Sequence, residues 1–176
     1  MLPFLTGERA PNWNADARGA IDGISLKTQP IEILRAGLES IAYRLGLIFE
    51  LLRGVAPDTQ RDTSSRLLDD TPSQQAMRDA VSVIASGGAL MNSPTWIQII
   101  ADALGVPVIA SAETEATSRG TALLALKALG AIDSLGKLPA ELGTVYQPDA
   151  TRHEIYAHAI ERQKKLYNAV VRQIIK

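Results

Sequence analysis

Two adjacent glycines, Gly87 and Gly88, follow an apolar run and precede a helix-like run in the segment SGGALMNSPTWIQIIADALGVPV. Because glycine has no Cβ, the backbone can turn sharply here or let the phosphates of a ligand approach closely. Backbone N–H groups in such a turn, and the positive end of a helix beginning at Pro94, favour an anion. Asn92 offers a donor and an acceptor to a base or ribose edge. Nucleotide binding and a purely structural turn both fit this pattern.

The glycine segment does not match the standard phosphate-binding motifs. A phosphate loop reads GxxxxGK[ST] and places a lysine on the phosphates, while a dinucleotide fold carries GxGxxG between strand and helix. Residues 86–93, SGGALMNS, match neither motif. The nucleotide hypothesis therefore depends on where the fold places the two glycines.

Arginines in the N-terminal segment form a second candidate site. Arg9 and Arg18 lie in a stretch rich in Gly, Pro and Asn, residues 3–18, which predicts a structured loop. Arginines held on such a loop can bind carboxylate or phosphate. An ordinary surface position is the alternative for each.

The carboxylates show no paired catalytic pattern, and no Ser-His-acid arrangement follows from the spacing. Glu113 and Glu115 lie near the start of a predicted helix, where negative charge suits the helix dipole. Glu39 is spaced to pair with Arg35 at i−4 or with Tyr43 at i+4. We interpret these acids as structural.

Composition excludes several classes of function. The chain has 176 residues, a formal net charge of −1 and no cysteine, which excludes disulfides, thiolate metal sites and a cysteine nucleophile. Neither His153 nor His158 belongs to a recognisable metal motif. No basic field points to nucleic acid or to an anionic membrane, and no apolar run is long enough to span a bilayer. We expect a cytoplasmic globular protein.

The clearest periodic signal predicts a long helix that begins after an N-cap at Thr28 and ends at Gly54. Its apolar positions alternate by three and four and form one stripe: Ile31, Leu34, Leu38, Ile41, Leu45, Ile48 and Leu52. The same spacing fits a coiled coil. Because Ala42 and Phe49 widen the stripe, burial against a sheet is the preferred interpretation.

The remaining elements alternate between strand and helix. They are predicted as a strand at 20–26, a surface loop inserted at 56–78, a strand at 80–85, a helix at 94–104, a strand at 106–110, a deeply buried helix at 115–129 and a C-terminal helix at 150–175. Alternation of this kind predicts an α/β fold with a largely parallel sheet after its first strand. Ligands of such sheets bind at the carboxyl ends of the strands, where Gly87 and Gly88 stand.

The C-terminal part of the FGGY carbohydrate kinases resembles this chain in four segments, taken in the same order. They are LPFLTGERAPNWNADARGAIDGIS, IEILRAGLESIAYRL, SGGALMNSPTWIQIIADALGVPV and EATSRGTALLALKALG. Within the second segment, the residues at family-like places are Arg35, Ala36, Leu38, Glu39 and Tyr43. The form GERAPNW…ARG is especially similar to the gluconate kinase branch and close to the xylulose kinase branch.

The resemblance implies an actin-like ATPase fold, related to ribonuclease H, with a partial mixed sheet flanked by helices. It implies that residues 1–176 are the nucleotide-side domain of a kinase that uses ATP and Mg²⁺, here without its sugar-binding domain. Gly87, Gly88, Ala89 and Asn92 would contact the nucleotide; Ala89 stands where many members have a third glycine. Because the family's catalytic aspartate lies upstream of the matched region, the chain would be inactive alone.

Two further hypotheses remain beside gluconate kinase and xylulose kinase. The chain could be a non-enzymatic module in which self-association, as in a homodimer, covers an incomplete sheet edge and the glycine turn is only structural. It could also be a sugar-binding regulator on a kinase scaffold, although no DNA-binding segment is visible.

Overall fold

The computed structural model of the chain describes residues 1–55 and 83–171. The predicted surface loop 56–78 lies outside this range, as do Ala80 to Ser82 of one predicted strand and the last residues of the C-terminal helix. The elements are α1 (Pro30–Val55), β1 (Val83–Ala85), α2 (Gly88–Met91), α3 (Pro94–Leu104), β2 (Val108–Ser111), α4 (Ala116–Ala128), a 3-10 helix (Leu135–Lys137), β3 (Leu142–Tyr146) and α5 (Ala150–Val170).

The chain divides into two compact units. The first comprises Met1–Ala56, Ile99–Gly105 and Pro148–Lys176, and the second comprises Pro57–Gln98 and Val106–Gln147. The first unit therefore holds α1 and α5, and the second holds the sheet, α2 and α4. None of the helices in the described ranges is long and apolar enough to cross a bilayer.

The second unit contains a three-stranded mixed sheet in the order β1-β2-β3. β1 pairs parallel to β2, with Val83 opposite Val108. β3 pairs antiparallel to β2, with Val108 opposite Tyr146, and the register shifts by a bulge between Ile109 and Ser111. All four residues of β2 are buried, as expected for a central strand. The predicted α/β fold with a partial mixed sheet is confirmed, although the sequence analysis missed β3.

The strand predicted at 20–26 is wrong. Only Ala20 pairs, in an isolated antiparallel bridge with Leu2. Ile21, Ile24 and Leu26 are exposed, so no neighbouring strand within the described ranges completes a ladder.

The long helix begins two residues after the predicted cap. Pro30 is its first residue, and the Glu32 carboxylate accepts a hydrogen bond from the Gln29 N–H at 2.8 Å. The Thr28 hydroxyl instead accepts from the Ser25 N–H at 2.9 Å. Gly54 lies inside the helix rather than at its end. The N-terminal turn is therefore closed by a glutamate rather than by the threonine that we predicted.

Within the part of the chain that the structure describes, the apolar stripe of α1 is not the buried face that we predicted. Ile31, Leu34 and Leu52 are 65%, 61% and 63% exposed. The opposite face packs against α5 instead. That packed face carries small and polar residues, among them the buried Ser40 and Tyr43, which a search for apolar periodicity does not find.

The predicted deep burial of the helix at 115–129 is also wrong for the described residues. The helix itself is confirmed to within one residue at each end, but none of its side chains is buried. It packs against the 3-10 helix Leu135–Lys137. The apolar pattern had indicated more neighbours than the described parts of the chain provide.

Candidate functional site

The glycine turn begins directly where β1 ends. Gly87 has φ 103° and ψ 143°, and its carbonyl accepts from the N–H groups of Leu90 and Met91 at 3.1 and 3.0 Å. This positive φ is a conformation that side-chain-bearing residues rarely adopt. Backbone geometry alone therefore accounts for a glycine at position 87.

Gly88 has no such backbone requirement. It is the first residue of α2, and its φ is not positive. A Cβ built on Gly88 would meet no heavy atom within 4 Å. Gly87, Gly88 and Ala89 are all exposed. The turn therefore presents open backbone at the carboxyl end of β1, the edge at which ligands of such sheets bind.

Asn92 is the C-cap residue of α2, and its side chain does not cap the next helix, α3. Its N–H donates to the Gly88 carbonyl at 3.1 Å, while its side chain is exposed. α3 starts at Pro94, and the Ser93 carbonyl accepts from the Trp96 and Ile97 N–H groups at 2.9 and 3.2 Å. Ser93 therefore occupies the N-cap position of α3. The Asn92 amide has no hydrogen-bond partner in the described residues.

A charged cluster follows β2 at the same edge of the sheet, because β1 and β2 are parallel neighbours. The Arg119 Nε lies 3.0 Å from the Glu113 Oε1. A terminal nitrogen of Arg119 donates to the carbonyls of Leu138 and Pro139 at 2.8 and 2.9 Å. Glu113 therefore lies shortly before α4, as predicted, and also forms an ion pair with Arg119. Its six-residue separation from Arg119 matches no helical or strand periodicity, so this ion pair was not predictable from spacing.

The two candidate arginines belong to the first unit, whereas the glycine turn belongs to the second. The Arg18 guanidinium donates to the carbonyls of Ala15 and Ala17 at 2.9 and 3.0 Å. Its described contacts are therefore local and hold the N-terminal loop. Arg9 is exposed and makes no side-chain hydrogen bond or ion pair with the described residues.

The neighbouring residue Glu8, which the sequence analysis did not single out, anchors that loop. Its side chain is fully buried and forms an ion pair with Arg44 of α1. It also accepts from the Asn12 amide at 3.0 Å and from the Tyr167 hydroxyl at 2.5 Å. Burial, together with the Glu8 carboxylate, raises the pKa of Tyr167. The partners lie up to 159 residues away in sequence, so local spacing could not reveal them.

Glu39 joins α1 to α5. It pairs with Arg35 at 2.7 Å and accepts from the Tyr43 hydroxyl at 3.3 Å, so both predicted partners are confirmed. The Tyr156 hydroxyl of α5 also donates to it at 3.2 Å. Burial and the Glu39 carboxylate raise the pKa values of Tyr43 and Tyr156. This cluster has a structural explanation and offers no open site.

The histidines do not form a metal centre within the part of the chain that the structure describes. The His153 Nδ1 lies 2.9 Å from the Asp102 carbonyl oxygen. No group of three or more His, Asp or Glu side chains in residues 1–55 and 83–171 could hold a metal ion. The glycine turn with Asn92 is therefore the best candidate for ligand binding.

Comparison with known proteins gives the class of this chain. Residues 1–129 match the model of the FGGY family of carbohydrate kinases, C-terminal domain. The chain belongs to this family.

Individual relatives act on different substrates. The chain is 36% identical over 152 residues to a glycerol kinase of Leptothrix cholodnii, covering 86% of this chain and 26% of the relative. It is 28% identical over 145 residues to a gluconokinase of Bacillus subtilis, covering 82% of this chain and 24% of the relative.

Two solved structures share the fold over 96% of this chain. A xylulose kinase from Lactobacillus acidophilus superposes with a TM-score of 0.70 at 29% identity. A gluconate kinase from the same organism superposes with a TM-score of 0.69 at 28% identity. The chain spans 30% of each of these proteins. The actin-like ATPase fold that the resemblance implied is thereby confirmed.

Proposed function

We propose that this chain is the nucleotide-binding part of an ATP-dependent carbohydrate kinase, acting in the cytoplasm. Family membership carries the general proposal, since the matched model describes the C-terminal domain of carbohydrate kinases. The open backbone at Gly88 carries the specific one. The space around Gly88 would accommodate a side chain, but glycine has none. A ligand can therefore approach the main chain closely at this position.

The nucleotide would lie against the exposed turn Gly87–Ala89, with the Asn92 amide contacting its base or ribose. Support comes from the position of this turn at the carboxyl end of a parallel strand and from the unpartnered Asn92 side chain. α2 has only four residues, so we assign the interaction to open backbone and to an amide rather than to a helix dipole.

For the substrate, we propose D-gluconate, converted to 6-phosphogluconate. The form GERAPNW…ARG supports it, as does similarity to a gluconokinase and to a solved gluconate kinase. A xylulose or other pentose substrate is the alternative that a solved xylulose kinase supports. The chain shares a higher sequence identity with a glycerol kinase than with the gluconokinase, so glycerol is the third acceptor to compare. Assay of all three acceptors with the whole kinase distinguishes them.

We further propose that the chain does not catalyse transfer by itself. Phosphoryl transfer needs a positioned nucleophile, in-line geometry and neutralisation of charge, usually by Mg²⁺. Because the described residues supply no cage of carboxylates, Mg²⁺ would arrive on the ATP phosphates, as is usual for this ion. Arg9 is exposed and unpaired, and it remains a candidate contact for substrate or phosphate; Arg18 is a weaker one because its guanidinium already holds the loop.

The test compares two glycine-to-alanine variants at open helical positions. A methyl group at Gly88 or at Gly120 of α4 would meet no heavy atom within 4 Å, so both variants should fold normally. Titration calorimetry with MgATP should show an affinity roughly 10-fold lower for Gly88→Ala, corresponding to about 1.4 kcal/mol. Gly120→Ala should bind like the wild type, and Asn92→Ala should bind more weakly.

The unfolding midpoint in urea separates binding from folding. Gly88→Ala should keep the wild-type midpoint or gain slightly, since alanine is favoured over glycine in a helix. Wild-type MgATP affinity in both Gly88→Ala and Asn92→Ala would refute the proposed site. Transfer of phosphate to gluconate by the isolated chain at an ordinary kinase rate would refute the proposal that it is inactive alone.

A further inference from the structure

An ion pair at the ligand-binding edge of the sheet holds two chain segments together, and the proposed contacts with the nucleotide do not include it. Arg119 of α4 places its Nε 3.0 Å from the Glu113 Oε1. One of its terminal nitrogens donates to the carbonyls of Leu138 and Pro139 at 2.8 and 2.9 Å. A single guanidinium therefore joins the segment after β2 to a segment that lies 19 and 20 residues beyond Arg119 in the sequence.

Two further hydrogen bonds connect the same two segments. The Glu113 carboxylate accepts from the Glu141 N–H at 3.4 Å. The Ala112 N–H donates to the Glu141 carbonyl at 3.1 Å. We call the segments that these contacts hold together, residues 112–113 and 138–141, the braced edge. Both the ion pair and the backbone contribute to its fixed conformation.

The braced edge lies beside the glycine turn because of the strand order. β1 and β2 are parallel neighbours, so the turn after β1 and residues 112–113 after β2 leave the sheet at the same end. β3 is antiparallel to β2, so residues 138–141 reach that end just before β3 begins. Neighbouring strands are roughly 5 Å apart. A ligand on Gly88 that extends toward β2 by more than this spacing therefore meets the braced edge.

Two observations distinguish the braced edge from an ordinary surface loop. The pairing of β2 with β3 shifts register between Ile109 and Ser111, directly before the braced edge, and such bulges are common beside active sites, where they redirect the chain. The side chains of Arg119 and Glu113 are only 30% and 24% exposed, whereas the ion pairs that contribute little lie between solvent-exposed side chains. Because one planar guanidinium contacts three acceptors, it fixes their relative positions as well as neutralising a charge.

We propose that Glu113 and Arg119 are positioning residues for the nucleotide: they hold the braced edge in place as a fixed surface beside the glycine turn, against which the nucleotide packs. This inference rests on the proposed function. Neither side chain needs to touch the nucleotide, since both are occupied by contacts within the chain. A surface that is already ordered raises affinity, because less conformational freedom is lost when the ligand binds.

The sign of the change in MgATP affinity separates positioning from direct electrostatics. Glu113→Ala removes a negative charge from the neighbourhood of the proposed site, so an electrostatic effect alone would raise the affinity for MgATP. If Glu113 positions the braced edge, titration calorimetry should instead show an affinity about 10-fold lower. Glu115→Ala is the matched control, because it removes the same charge two residues away and the Glu115 side chain makes no capping hydrogen bond. This control should bind MgATP as tightly as the wild type or slightly more tightly.

A second variant keeps the charge and removes the geometry. Arg119→Lys retains a positive charge but lacks the planar fork, so it cannot contact all three acceptors in the same arrangement. We expect it to lower the MgATP affinity about 3–10-fold. Wild-type affinity in either Arg119→Lys or Glu113→Ala would overturn the proposal. A gain in affinity in Glu113→Ala, matched by Glu115→Ala, would overturn it in favour of a charge that acts directly on the nucleotide.

Amide hydrogen exchange measured by NMR tests whether the pair acts locally. In Glu113→Ala, the amides of Ala112 and Glu141 should exchange faster than in the wild type, while the amides of the buried strand β2 stay protected. Loss of protection throughout β2 would assign the pair a general role in folding and overturn the proposal. If the wild-type chain binds no MgATP, the nucleotide site is refuted and the positioning role with it. If Gly88→Ala weakens binding but Glu113→Ala does not, the positioning role alone is refuted.

Discussion

Replacement of Glu8 by glutamine should be among the most damaging conservative changes in the first unit. The Glu8 side chain is fully buried, and the side chain of its partner Arg44 is only 10% exposed. The Arg44 guanidinium also lies 5.2 Å from the centre of the Phe4 ring and 5.3 Å from that of Tyr167. Glu8→Gln would leave the guanidinium enclosed by aromatic rings without a counter-charge.

The expected loss of stability follows from the charge that remains after the substitution, which is the buried Arg44 guanidinium. Removing one member of a buried ion pair typically costs about 3–5 kcal/mol, because the other charge stays buried without compensation. Glutamine keeps one acceptor oxygen in place of the two carboxylate oxygens. Its NH₂ group is a donor and would face another donor, either the Arg44 guanidinium or the Tyr167 hydroxyl. We therefore expect Glu8→Gln to lower the free energy of unfolding by about 3 kcal/mol, a large part of the ~5–15 kcal/mol that stabilises a typical protein.

Urea unfolding followed by circular dichroism at 222 nm measures this loss, because α1 and α5 dominate the helical signal of the first unit. Glu161→Gln is the matched control. Glu161 pairs with Lys164 at 2.6 Å, but the two side chains are 61% and 40% exposed, so this variant should lose less than about 0.5 kcal/mol. The double variant Glu8→Gln/Arg44→Met should recover part of the loss, since no charge remains buried. If Glu8→Gln cost no more than Glu161→Gln, the reasoning would be wrong.

Two further variants test other contacts in the first unit. Gly105 has φ +67°, and a Cβ there would lie 2.6 Å from the His153 ring, so Gly105→Ala should cost about 1–3 kcal/mol in urea unfolding. The cost should be smaller in a His153→Ala background; an equal cost would exclude the ring contact. Burial and the Glu39 carboxylate raise the pKa of Tyr43 above its ordinary value of 10.0, so the folded chain holds the phenolic proton more tightly. That stability is present below pH 10 and is lost as the pH rises through the folded pKa, so Tyr43→Phe should make stability fall less steeply above pH 10. An equally steep fall would contradict this assignment.

Helix ends were predictable where local chemistry determines them. α3 begins and ends at the predicted residues, because a proline suits the first turn and Gly105 adopts the positive φ of a helix terminus. The start of α5 was likewise predicted, and Asp149 caps it by accepting from the Arg152 N–H at 2.9 Å. In these places one short segment contains both the signal and the interaction that it specifies.

Prediction failed where the result depends on a distant partner. The alternation at 20–26 resembles a strand, but a strand needs a neighbour, and only Ala20 has one. The apolar stripe of α1 was correctly located, yet its burial depends on what covers it. Among the acids, the partners of Glu39 on its own helix were predictable from their spacing, whereas its contact with Tyr156, 117 residues away, was not.

The structure gives different explanations for the two glycines after β1. From the sequence, a structural turn and a ligand site were alternatives for the pair as a whole. Gly87 adopts a φ of 103°, so the turn explains it, whereas neither φ nor neighbouring atoms explain a glycine at Gly88. The alternatives therefore apply to different residues. Alanine at Gly87 should cost folding energy whether or not a nucleotide binds, so it is uninformative about function. Alanine at Gly88 should leave folding intact, so a loss of MgATP affinity there would isolate the ligand's contribution.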